Sequence, residues 1–442
     1  MNIYALSSGK GPSGIAIIRL SGTKTLKICK LIAKKDLIKN KEANFFKFYD
    51  PSNNNLIDEG LLLYFPSPNS YTGDDLAEFH IHGSNAVIEL FLKVLSKQED
   101  CRLAEPGEFT KIAFHNNKVD LLKAESISDL IHSETELQRQ QALRFVQGNA
   151  SDYYNSLRDK LIKSLAYVEA KIDFAEDDLP DSILQEVHLT VEEIYNEIKK
   201  ILEDQRLGEK IREGFKVSII GEPNAGKSSL LNILSKREAA IVSEEKGTTR
   251  DIVEVYLNLD GYPVILADTA GIRDTDNNIE KKGVQLAINR SKESDLNLVM
   301  IDNSSIEINK KIIDLINKDS IIVLNKADLN NKTRDQFVNN NSILISIKNN
   351  KNVDKLINLI KEQLSNKISN INNILVSRER HRSKLNSCLV ELGKFLKKTH
   401  TKEIELAAED LRMATRHLGS IIGKVDVEEI LGSIFKDFCI GK

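Results

Sequence analysis

The segment at residues 221–228, GEPNAGKS, constrains the fold of this chain more than any other, because it matches the pattern GxxxxGK[ST]. Apolar residues at 217–220 predict a strand directly before it, and apolar residues at 230, 231, 233 and 234 predict a helix directly after it. In such a strand–loop–helix unit, backbone N–H groups surround phosphate oxygens, Lys227 neutralises their charge and the Ser228 hydroxyl binds Mg²⁺. A chance match to the pattern alone is expected in roughly one such chain in a hundred. The segment therefore predicts a nucleotide-binding α/β domain.

Three short motifs follow the loop, each directly after a predicted strand. They read DTAG at residues 268–271, NKAD at residues 325–328 and SIK at residues 346–348. The Asp268 carboxylate would reach the Mg²⁺ shell, and the Gly271 amide would contact the γ-phosphate. The Asp328 carboxylate can accept both the N1–H and the exocyclic amine of guanine, whereas adenine offers no matching pair of donors. The order of the motifs therefore predicts that the chain binds GTP.

The residues predicted to bind GTP come from these motifs and from residues 243–251, which contain the segment GTTRD. They are Asn224, Ala225, Gly226, Lys227, Ser228, Ser229, Ser243, Thr248, Thr249, Asp268, Thr269, Ala270, Gly271, Asn325, Lys326, Asp328, Ser346, Ile347 and Lys348. A threonine of the GTTRD segment would complete the Mg²⁺ coordination as part of a mobile switch.

Hydrolysis of GTP needs an unusual group in this chain, because Ile272 follows the DTAG motif. Ras-type enzymes place a water-orienting glutamine there, and an aliphatic side chain cannot orient water. Asn224 could help to hold a monovalent cation, which would supply the charge that an arginine finger gives elsewhere. Glu280 is a candidate to orient the water. From the residues alone, a solvated carboxylate of the switch loop is the favoured interpretation of Glu280.

Composition excludes several other classes of protein. The 62 Lys+Arg and 65 Asp+Glu residues give a net charge of −3, which argues against a protein that coats nucleic acid by bulk positive charge. No apolar run approaches the eighteen or so residues of a membrane span, and residues 1–5 lack the pattern of a secretory signal. The four scattered cysteines form no disulfide framework, so we expect a cytoplasmic protein without a membrane partner.

Apolar periodicity predicts a mixed α/β segment at the beginning of the chain and helices on both sides of the nucleotide-binding domain. Residues 15–18 and 60–65 predict strands, and residues 86–95 predict a helix. Residues 121–207 predict long amphipathic helices with a break at 177–181, and helical periodicity returns after residue 374.

The segment between the two helical regions alternates apolar strands with helices, which is typical of a parallel sheet. We therefore expect one helical domain that is interrupted in sequence by an inserted α/β domain. The predicted boundaries are residues 1–118 for the N-terminal domain, 119–213 for the first helical part, 214–372 for the nucleotide-binding domain and 373–442 for the second helical part.

Four further segments carry a resemblance to a known family. They read SYTGDD at residues 70–75, PGEFT at residues 106–110, KVDL at residues 118–121 and FCIGK at residues 438–442. Together with the GTPase motifs, they make the chain similar to the MnmE (TrmE) family of tRNA-modification GTPases over nearly its whole length. The resemblance implies a multidomain α/β plus all-α protein: an N-terminal α/β folate-binding and dimerisation domain, a helical domain split in sequence, and an inserted Ras-like P-loop GTPase domain.

The resemblance also implies a potassium-dependent GTPase with assigned ion ligands. Potassium would be held by Asn224, Ser243, Glu245 and Thr248, the last three largely through backbone carbonyls. Magnesium would be held by Ser228 and Thr249, and Glu280 would be the catalytic glutamate. The segment SEEK at residues 243–246 is more charged than is usual for the family, which leaves K⁺ binding intact if backbone carbonyls are the main ligands.

In the N-terminal domain the resemblance implies a site for formyl- or methylene-tetrahydrofolate, formed by Arg19, Glu78, Lys118 and Lys442. Basic groups suit the glutamate carboxylates of folate, and a carboxylate suits the donor edge of the pterin ring. Cys439 has two open interpretations. It is either a small buried residue that closes the last helix or a thiol near the one-carbon donor.

Two clusters have an ordinary and a functional interpretation, and the ordinary one is favoured for both. Glu78, His80 and His82 share one face of a strand, which is either a polar strand face or a metal site. The segment RERHR at residues 378–382 is either a solvated helical face or a patch that contacts tRNA phosphates.

The function implied by the resemblance is modification of tRNA. A homodimer would join the flavoprotein MnmG (GidA) in a heterotetrameric complex and add an aminomethyl or carboxymethylaminomethyl group to C5 of the wobble uridine of certain tRNAs. Two alternatives remain at this point. One is a ribosome-assembly GTPase of the Era or Der type, against which the chain shows no GXXG loop in a suitable context, and the other is a GTP-binding regulatory switch.

Overall fold

The computed structural model describes most of the chain, and all statements below concern that part. The described residues are 1–9, 11–173, 182–237, 240–241, 254–268, 291–305, 308, 310–329, 337, 341–368, 374–398, 403–425, 434, 438 and 441. They belong to two compact units. The first comprises Met1–Ser128, Phe145–Glu169 and Leu411–Lys442, and the second comprises Asp129–Arg144 and Ala170–Asp410. The helices that follow residue 119 are therefore shared between the units, and the bounds of the four segments remain predictions.

The first unit is built on a six-stranded sheet with the order β3-β4-β5-β2-β1-β6. Its strands are β1 (Asn2–Leu6), β2 (Ser13–Ser21), β3 (Asn44–Tyr49), β4 (Leu56–Phe65), β5 (Leu76–Gly83) and β6 (Cys101–Leu103). Neighbouring strands are antiparallel, except that β1 and β6 are parallel. Helices α1 (Thr25–Ala33) and α2 (Asn85–Ser96) contribute to the core of this unit. The predicted strands and helix of this segment are confirmed.

The two faces of this sheet differ because side chains alternate along each strand. On β2, Ile18 and Leu20 are fully buried in the core, whereas Arg19 between them belongs to the other face. On β5, Phe79 is buried in the same core and Glu78 precedes it. Arg19 and Glu78 are direct partners in the β2–β5 register. The alternation therefore places a cation and an anion side by side on the face opposite the core.

Six helices follow this sheet in the described chain. They are α3 (Glu108–His115), α4 (Leu121–Ile131), α5 (Glu136–Val146), α6 (Asn149–Asp173), α7 (Ser182–Leu202) and α8 (Leu207–Glu213). The helical prediction for residues 121–207 is confirmed, and the predicted break at 177–181 lies outside the described residues. None of the described helices is both long enough and apolar enough to cross a membrane.

The second unit contains a seven-stranded sheet with the order β13-β12-β11-β7-β10-β9-β8. Its strands are β7 (Phe215–Gly221), β8 (Ala240–Ile241), β9 (Glu254–Leu259), β10 (Tyr262–Asp268), β11 (Leu296–Asp302), β12 (Ser320–Asn325) and β13 (Ser342–Leu344). The described helices of this segment are α9 (Lys227–Arg237), α10 (Lys310–Ile313) and α11 (Val353–Lys367). From β13 to β10 the strands are parallel, as predicted, whereas β9 pairs antiparallel with both β10 and β8.

Parallel pairing determines where the motifs of this sheet lie. The carboxyl ends of parallel strands lie along one edge of a sheet, and ligands of α/β proteins bind outside that edge. Strand β7 leads into the phosphate loop, β10 ends at Asp268, and β12 leads into the NKAD motif. Two further helices, α12 (Glu379–Lys398) and α13 (Ile404–Ile422), confirm the helical periodicity expected after residue 374.

Candidate functional site

The phosphate loop has the predicted strand–loop–helix geometry. Strand β7 ends at Gly221, and α9 begins at Lys227. Between them, Asn224 (φ 62°) and Gly226 (φ 105°) adopt left-handed backbone conformations that reverse the chain. The ammonium group of Lys227 donates to the carbonyl oxygens of Gly221 (3.0 Å) and Glu222 (2.9 Å). The loop thus places a lysine, two neighbouring serines at 228 and 229, and a helix N-terminus together, which is the arrangement that binds phosphate.

The side chain of Asn325, in the NKAD motif, forms hydrogen bonds with both the phosphate loop and the loop that contains the SIK motif. Its Nδ2 donates to the Ala225 carbonyl (2.8 Å), and its Oδ1 accepts from the Ile347 amide (3.2 Å). Gly226 fits tightly here, because a Cβ built on it would lie 2.4 Å from Asn325 Nδ2. Three motifs that are up to 122 residues apart therefore form one site.

The carboxylate expected to read guanine is held in place by a serine. The Ser346 hydroxyl donates to Asp328 Oδ1 (2.7 Å) and accepts from the Asn349 amide (3.2 Å). The hydrogen bond from Ser346 keeps the pKa of Asp328 below its usual value, helped by the charge of the exposed Lys348. Asp328 is therefore ionised near neutral pH and suited to accept two N–H donors.

Asp302 belongs to this site and was missed by the sequence reasoning. It ends β11 and forms an ion pair with Lys326 of the NKAD motif. Burial raises the pKa of Asp302, but the hydrogen bonds from Lys326 and Ser304 outweigh burial and leave the pKa below its usual value. An acidic residue at the end of a parallel strand next to β7 and β12 was the signal that could have revealed it.

Several predicted residues of this site cannot be placed. Ser243, Glu245, Thr248, Thr249, Thr269, Ala270, Gly271, Glu280 and the Ile272 position lie outside the described residues. For Asp268 the backbone alone is described. It pairs in register with Ile219 of β7, two residues before that strand ends.

A second cluster of functional side chains lies on the N-terminal sheet around Arg19. Its Nε and Nη2 donate to Glu78 Oε1 at 3.1 and 2.8 Å, and the two side chains are only 14% and 19% exposed. The guanidinium carbon lies 5.5 Å from the centroid of Tyr71 and 5.6 Å from that of Phe109. Arg19 is thus a shielded cation that fixes the direction of the Glu78 carboxylate.

The end of the chain is anchored at the same cluster. The Gly441 carbonyl accepts from the Ser7 hydroxyl (2.8 Å) and from Arg19 Nη1 (3.3 Å). Gly441 has φ 102°, and a Cβ built on it would lie 2.2 Å from the Leu6 carbonyl oxygen, so only glycine fits. Phe438 is buried against Leu121 of α4. The predicted residues Cys439 and Lys442 lie outside the described residues.

The SYTGDD and PGEFT segments meet beside Arg19. The Tyr71 hydroxyl and the Thr110 hydroxyl are hydrogen-bonded at 2.8 Å, and burial raises the pKa of Tyr71. Lys118 is exposed, and its Cε would lie 3.2 Å from a Cβ built on Gly73 of the same loop. Arg19 and Lys118 therefore both lie beside one loop, at residues 70–75, from different elements.

Comparison with known proteins decides the family. The family described as "GTP-binding protein TrmE N-terminus" matches residues 2–118, and that described as "MnmE helical domain" matches residues 121–439. A protein of Pelagibacter ubique (strain HTCC1062), named tRNA modification GTPase MnmE, is 54% identical over 443 residues and covers all of both chains. The chain belongs to the MnmE (TrmE) family of tRNA modification GTPases. A relative of the same name from Rickettsia bellii (strain RML369-C) is 44% identical over 445 residues, covering 100% of this chain and 99% of its own.

Membership of the MnmE family narrows the functions that the sequence left open. It confirms the predicted GTPase and tRNA modification, and it argues against a ribosome-assembly GTPase of the Era or Der type.

Among solved structures, the G domain of T. maritima FeoB matches 34% of this chain and 98% of its own, with 21% identity and a TM-score of 0.25.

The metal interpretation of the Glu78 strand is not supported in this MnmE family member. His82 Nδ1 lies 2.8 Å from Asp58 Oδ1, so this histidine pairs away from Glu78. His80 Nε2 lies 3.8 Å from Glu78 Oε2 and has no hydrogen-bond partner among the described residues. Nor does any group of three His, Cys, Asp or Glu within the described ranges have the geometry of a metal site.

Three residues of the basic cluster at 378–382 form neither the solvated face nor the open phosphate patch that the sequence suggested: Arg378, His381 and Arg382. Arg382 is 8% exposed and pairs with Glu209 of α8 and with Asp204, both at 2.6 Å. Arg378 pairs with Asp129, and His381 is 1% exposed. Carboxylates that are distant in sequence neutralise Arg378 and Arg382, which the charge pattern of the local sequence cannot reveal.

Proposed function

We propose that this chain is a potassium-dependent GTPase that acts with a flavoprotein of the MnmG (GidA) type on the wobble uridine of certain tRNAs. Together they add an aminomethyl or carboxymethylaminomethyl group to C5 of the uridine, using the one-carbon unit of formyl- or methylene-tetrahydrofolate. GTP hydrolysis drives domain rearrangement rather than the carbon chemistry. The observation that carries the proposal is that the chain contains two separate candidate sites, one in each unit, and each has its own polar chemistry.

In the GTP site, the described residues fit binding of the base and the phosphates. Asp328, fixed by Ser346, accepts the guanine donors, while Lys227 moves from the loop carbonyls to the β- and γ-phosphates. Ser228, in the first turn of α9, is the proposed Mg²⁺ ligand on this stretch. Magnesium neutralises the phosphate charge that develops during transfer.

Asn224 supports the proposal that potassium assists hydrolysis. It is exposed, and its left-handed backbone turns the loop next to the residues that bind phosphate. Its amide oxygen is the type of hard ligand that an alkali cation prefers. A cation there would supply positive charge to the transition state. We propose Ser243, Glu245 and Thr248 as its other ligands, Thr249 as a Mg²⁺ ligand and Glu280 as the residue that orients water.

In the N-terminal site, the described residues fit a folate. Arg19 holds one oxygen of Glu78, which leaves Oε2 to accept from the donor edge of a pterin. Exposed Lys118 suits the glutamate carboxylates. Because Arg19 also donates to Gly441, we propose that it orients Glu78 and the chain terminus, where Lys442 would complete the site.

The anchoring of the chain terminus supports a role for Cys439 in the modification chemistry. The described residues on either side of it, Phe438 and Gly441, are both fixed within the first unit. Gly441 contacts the same arginine that holds Glu78. We therefore propose that the Cys439 thiol acts near the one-carbon donor.

An exposed apolar area on the N-terminal sheet supports the homodimer. Phe45 of the outer strand β3 is 65% exposed, and its register partner Leu61 is 36% exposed. Ile15 of β2 is 64% exposed. Burial of these side chains against a second copy would remove them from water. We propose that the homodimer forms through this sheet and binds MnmG in a heterotetrameric complex in the cytoplasm.

The proposed function is tested by mass spectrometry of tRNA nucleosides from a deletion strain, with and without this chain restored. We expect the modified wobble uridine to disappear on deletion and to return with the chain. A nucleoside profile that deletion leaves unchanged contradicts the proposal. Potassium dependence is tested separately: GTP turnover should be fast in KCl and collapse in NaCl, and equal slow rates in both salts would instead indicate a regulatory switch.

A further inference from the structure

Helix α1 and the loop that follows it carry a strong local excess of positive charge. Seven lysines lie between residues 24 and 41, against the single acidic residue Asp36. The whole chain, by contrast, has a net charge of −3. Positive charge is therefore concentrated at one place on the first unit.

Three of these lysines form a line on the exposed side of the helix, which we name the α1 lysine ridge: Lys27, Lys30 and Lys34. The spacing of three residues aligns Lys27 and Lys30 on one face of the helix, and Lys34 directly follows the last helical residue, Ala33. The opposite face is buried in the core of the unit through Thr25, Ile28, Cys29, Ile32 and Ala33. The ridge thus points away from the core.

The charges of the ridge are not neutralised within the described chain, unlike those of neighbouring lysines. Lys24 pairs with Asp100 at 2.5 Å, and Lys39 pairs with Glu42 at 3.1 Å. Within the described ranges, Lys27 and Lys30 form no ion pair. Lys34 Nζ lies 4.1 Å from the centroid of the Tyr49 ring, a contact that restrains the side chain and leaves its charge in place.

The stability of helix α1 explains the presence of only some of the ridge lysines. Cations in the last turn of a helix are favourable, which is a sufficient reason for Lys30. Lys27 lies in the first turn, where a cation is unfavourable, and that turn contains no acidic residue. The charge of Lys27 therefore opposes the helix dipole and points to an external anion.

The geometry fits a nucleic-acid backbone better than a membrane surface. The apolar side of α1 is occupied by the core, so the helix has no free apolar face to insert into lipid. Lys27 and Lys34 lie seven residues apart along and just past the helix, about 10 Å at about 1.5 Å per residue. For comparison, a DNA duplex presents about six phosphate charges along that length, at one per ~1.7 Å.

We propose that the α1 lysine ridge binds the phosphate backbone of a tRNA stem. The inference rests on the proposed function, in which tRNA is the substrate, and it assigns that substrate a surface on the first unit. Phosphate contacts of this kind position the nucleic acid without reading its sequence. The ridge would therefore act on all substrate tRNAs alike.

The test compares the full-length chain with the triple variant Lys27→Gln, Lys30→Gln and Lys34→Gln. Binding of a fluorescent, unmodified tRNA transcript is measured at several KCl concentrations without nucleotide. The slope of log Kd against log salt should fall by about 2 to 3, at about 0.7–0.9 per lost phosphate contact, and affinity at low salt should fall about tenfold. GTP hydrolysis should stay at the wild-type rate.

A matched control replaces three other exposed lysines at equivalent helix positions. Lys355 lies in the first turn of α11, and Lys199 and Lys200 lie in the last turn of α7. Changing these three to glutamine alters the net charge equally and should leave the slope unchanged. The single variant Lys27→Gln retains the cations at the end of α1 and should still lower the slope by about 0.7–0.9.

Each possible result has a definite meaning. A ridge variant that binds tRNA like the wild type, or a control variant that loses as much affinity, overturns the ridge and leaves the proposed function intact. So does a ridge variant that loses binding to phosphatidylserine vesicles while it retains binding to tRNA. If the wild-type chain binds no tRNA in this assay, the proposal for the ridge is wrong. The proposed function is contradicted by a different result, a nucleoside profile that deletion leaves unchanged.

Discussion

The GTP site and the Arg19–Glu78 site are built in opposite ways. The GTP site takes its described residues from short contiguous motifs, each at the end of a parallel strand. The Arg19–Glu78 site takes single residues from distant elements: 59 residues separate Arg19 from Glu78, and 434 separate Ser7 from Gly441. The GTP site therefore lies at the edge of a sheet. The Arg19–Glu78 site lies on the face of a sheet, where the chain terminus also makes contact.

This difference determines how each site responds to change. In the GTP site the backbone provides much of the binding surface, so a local substitution removes one interaction and leaves the loop. In the Arg19 site one guanidinium joins Glu78, Gly441 and two aromatic rings, so a single substitution disturbs every partner. We therefore expect the two sites to be separable by mutation.

The largest effect is expected for Lys227→Ala. Loss of the ammonium group removes charge stabilisation at the β- and γ-phosphates, so GTP hydrolysis should fall by about 100-fold or more. Calorimetric titration with 5-formyltetrahydrofolate should give an unchanged Kd. The control is Lys236→Ala, in the last turn of the same helix, which should affect neither. A parallel loss of folate binding would show that the two sites are not independent.

The reverse separation is expected for Arg19→Ala. This change leaves the partly buried Glu78 without its partner, so folate affinity should fall by roughly 10- to 100-fold while GTP turnover stays constant. Arg139→Ala serves as control, because this exposed arginine pairs with Glu136 on its own helix and with no other acidic residue of the described chain. Unchanged folate affinity in the Arg19 variant would count against the proposed site.

A smaller effect is expected for Gly441→Ala. The new Cβ collides with the Leu6 carbonyl, and φ 102° is unfavourable for alanine, so the terminus should detach from Ser7 and Arg19. Modified uridine should fall about tenfold at constant GTP turnover, since an anchoring hydrogen bond to a charged group contributes on that scale. Gly9→Ala is the matched control, because a Cβ there meets nothing within 4 Å. Equal levels of modified uridine with both variants would show that the contacts of Gly441 with Ser7 and Arg19 are not needed for modification.

The smallest effect concerns His82 and pH. Its hydrogen bond to Asp58 raises the pKa of His82, so this stabilisation is complete below the unfolded pKa of about 6.5 and is lost as pH rises through the folded pKa. The melting temperature of the wild type should fall by about a degree more than that of His82→Gln between pH 6 and pH 8. Identical pH profiles would show that this exposed pair contributes nothing measurable.

The comparison also explains what the sequence could reveal. Strand ends followed by GxxxxGK[ST] and NKAD predict the GTP site because local periodicity and turn chemistry place the motifs at one edge. No local signal links Arg19 to Glu78 or Ser7 to Gly441, since the contacts depend on strand register and on the path of the terminus. Family resemblance was the source of Arg19, Glu78 and Lys118 as site residues.

The same limit explains the errors. Arg382 and Arg378 looked like a surface cluster, because the carboxylates that neutralise them lie 173 and 249 residues away. Asp302 was overlooked because its partner Lys326 is 24 residues further along the chain. The sequence shows the sign of each charged side chain, but only the fold shows which opposite charge it pairs with.

The side chain of Asn325 has a practical consequence for spectroscopy. Its amide group donates to the phosphate loop through Ala225 and accepts from Ile347 in the base-contacting loop. In a ¹⁵N-labelled sample, this side-chain NH₂ pair should exchange slowly with solvent and shift when either loop changes. One pair of resonances would then report on both ends of the nucleotide at once.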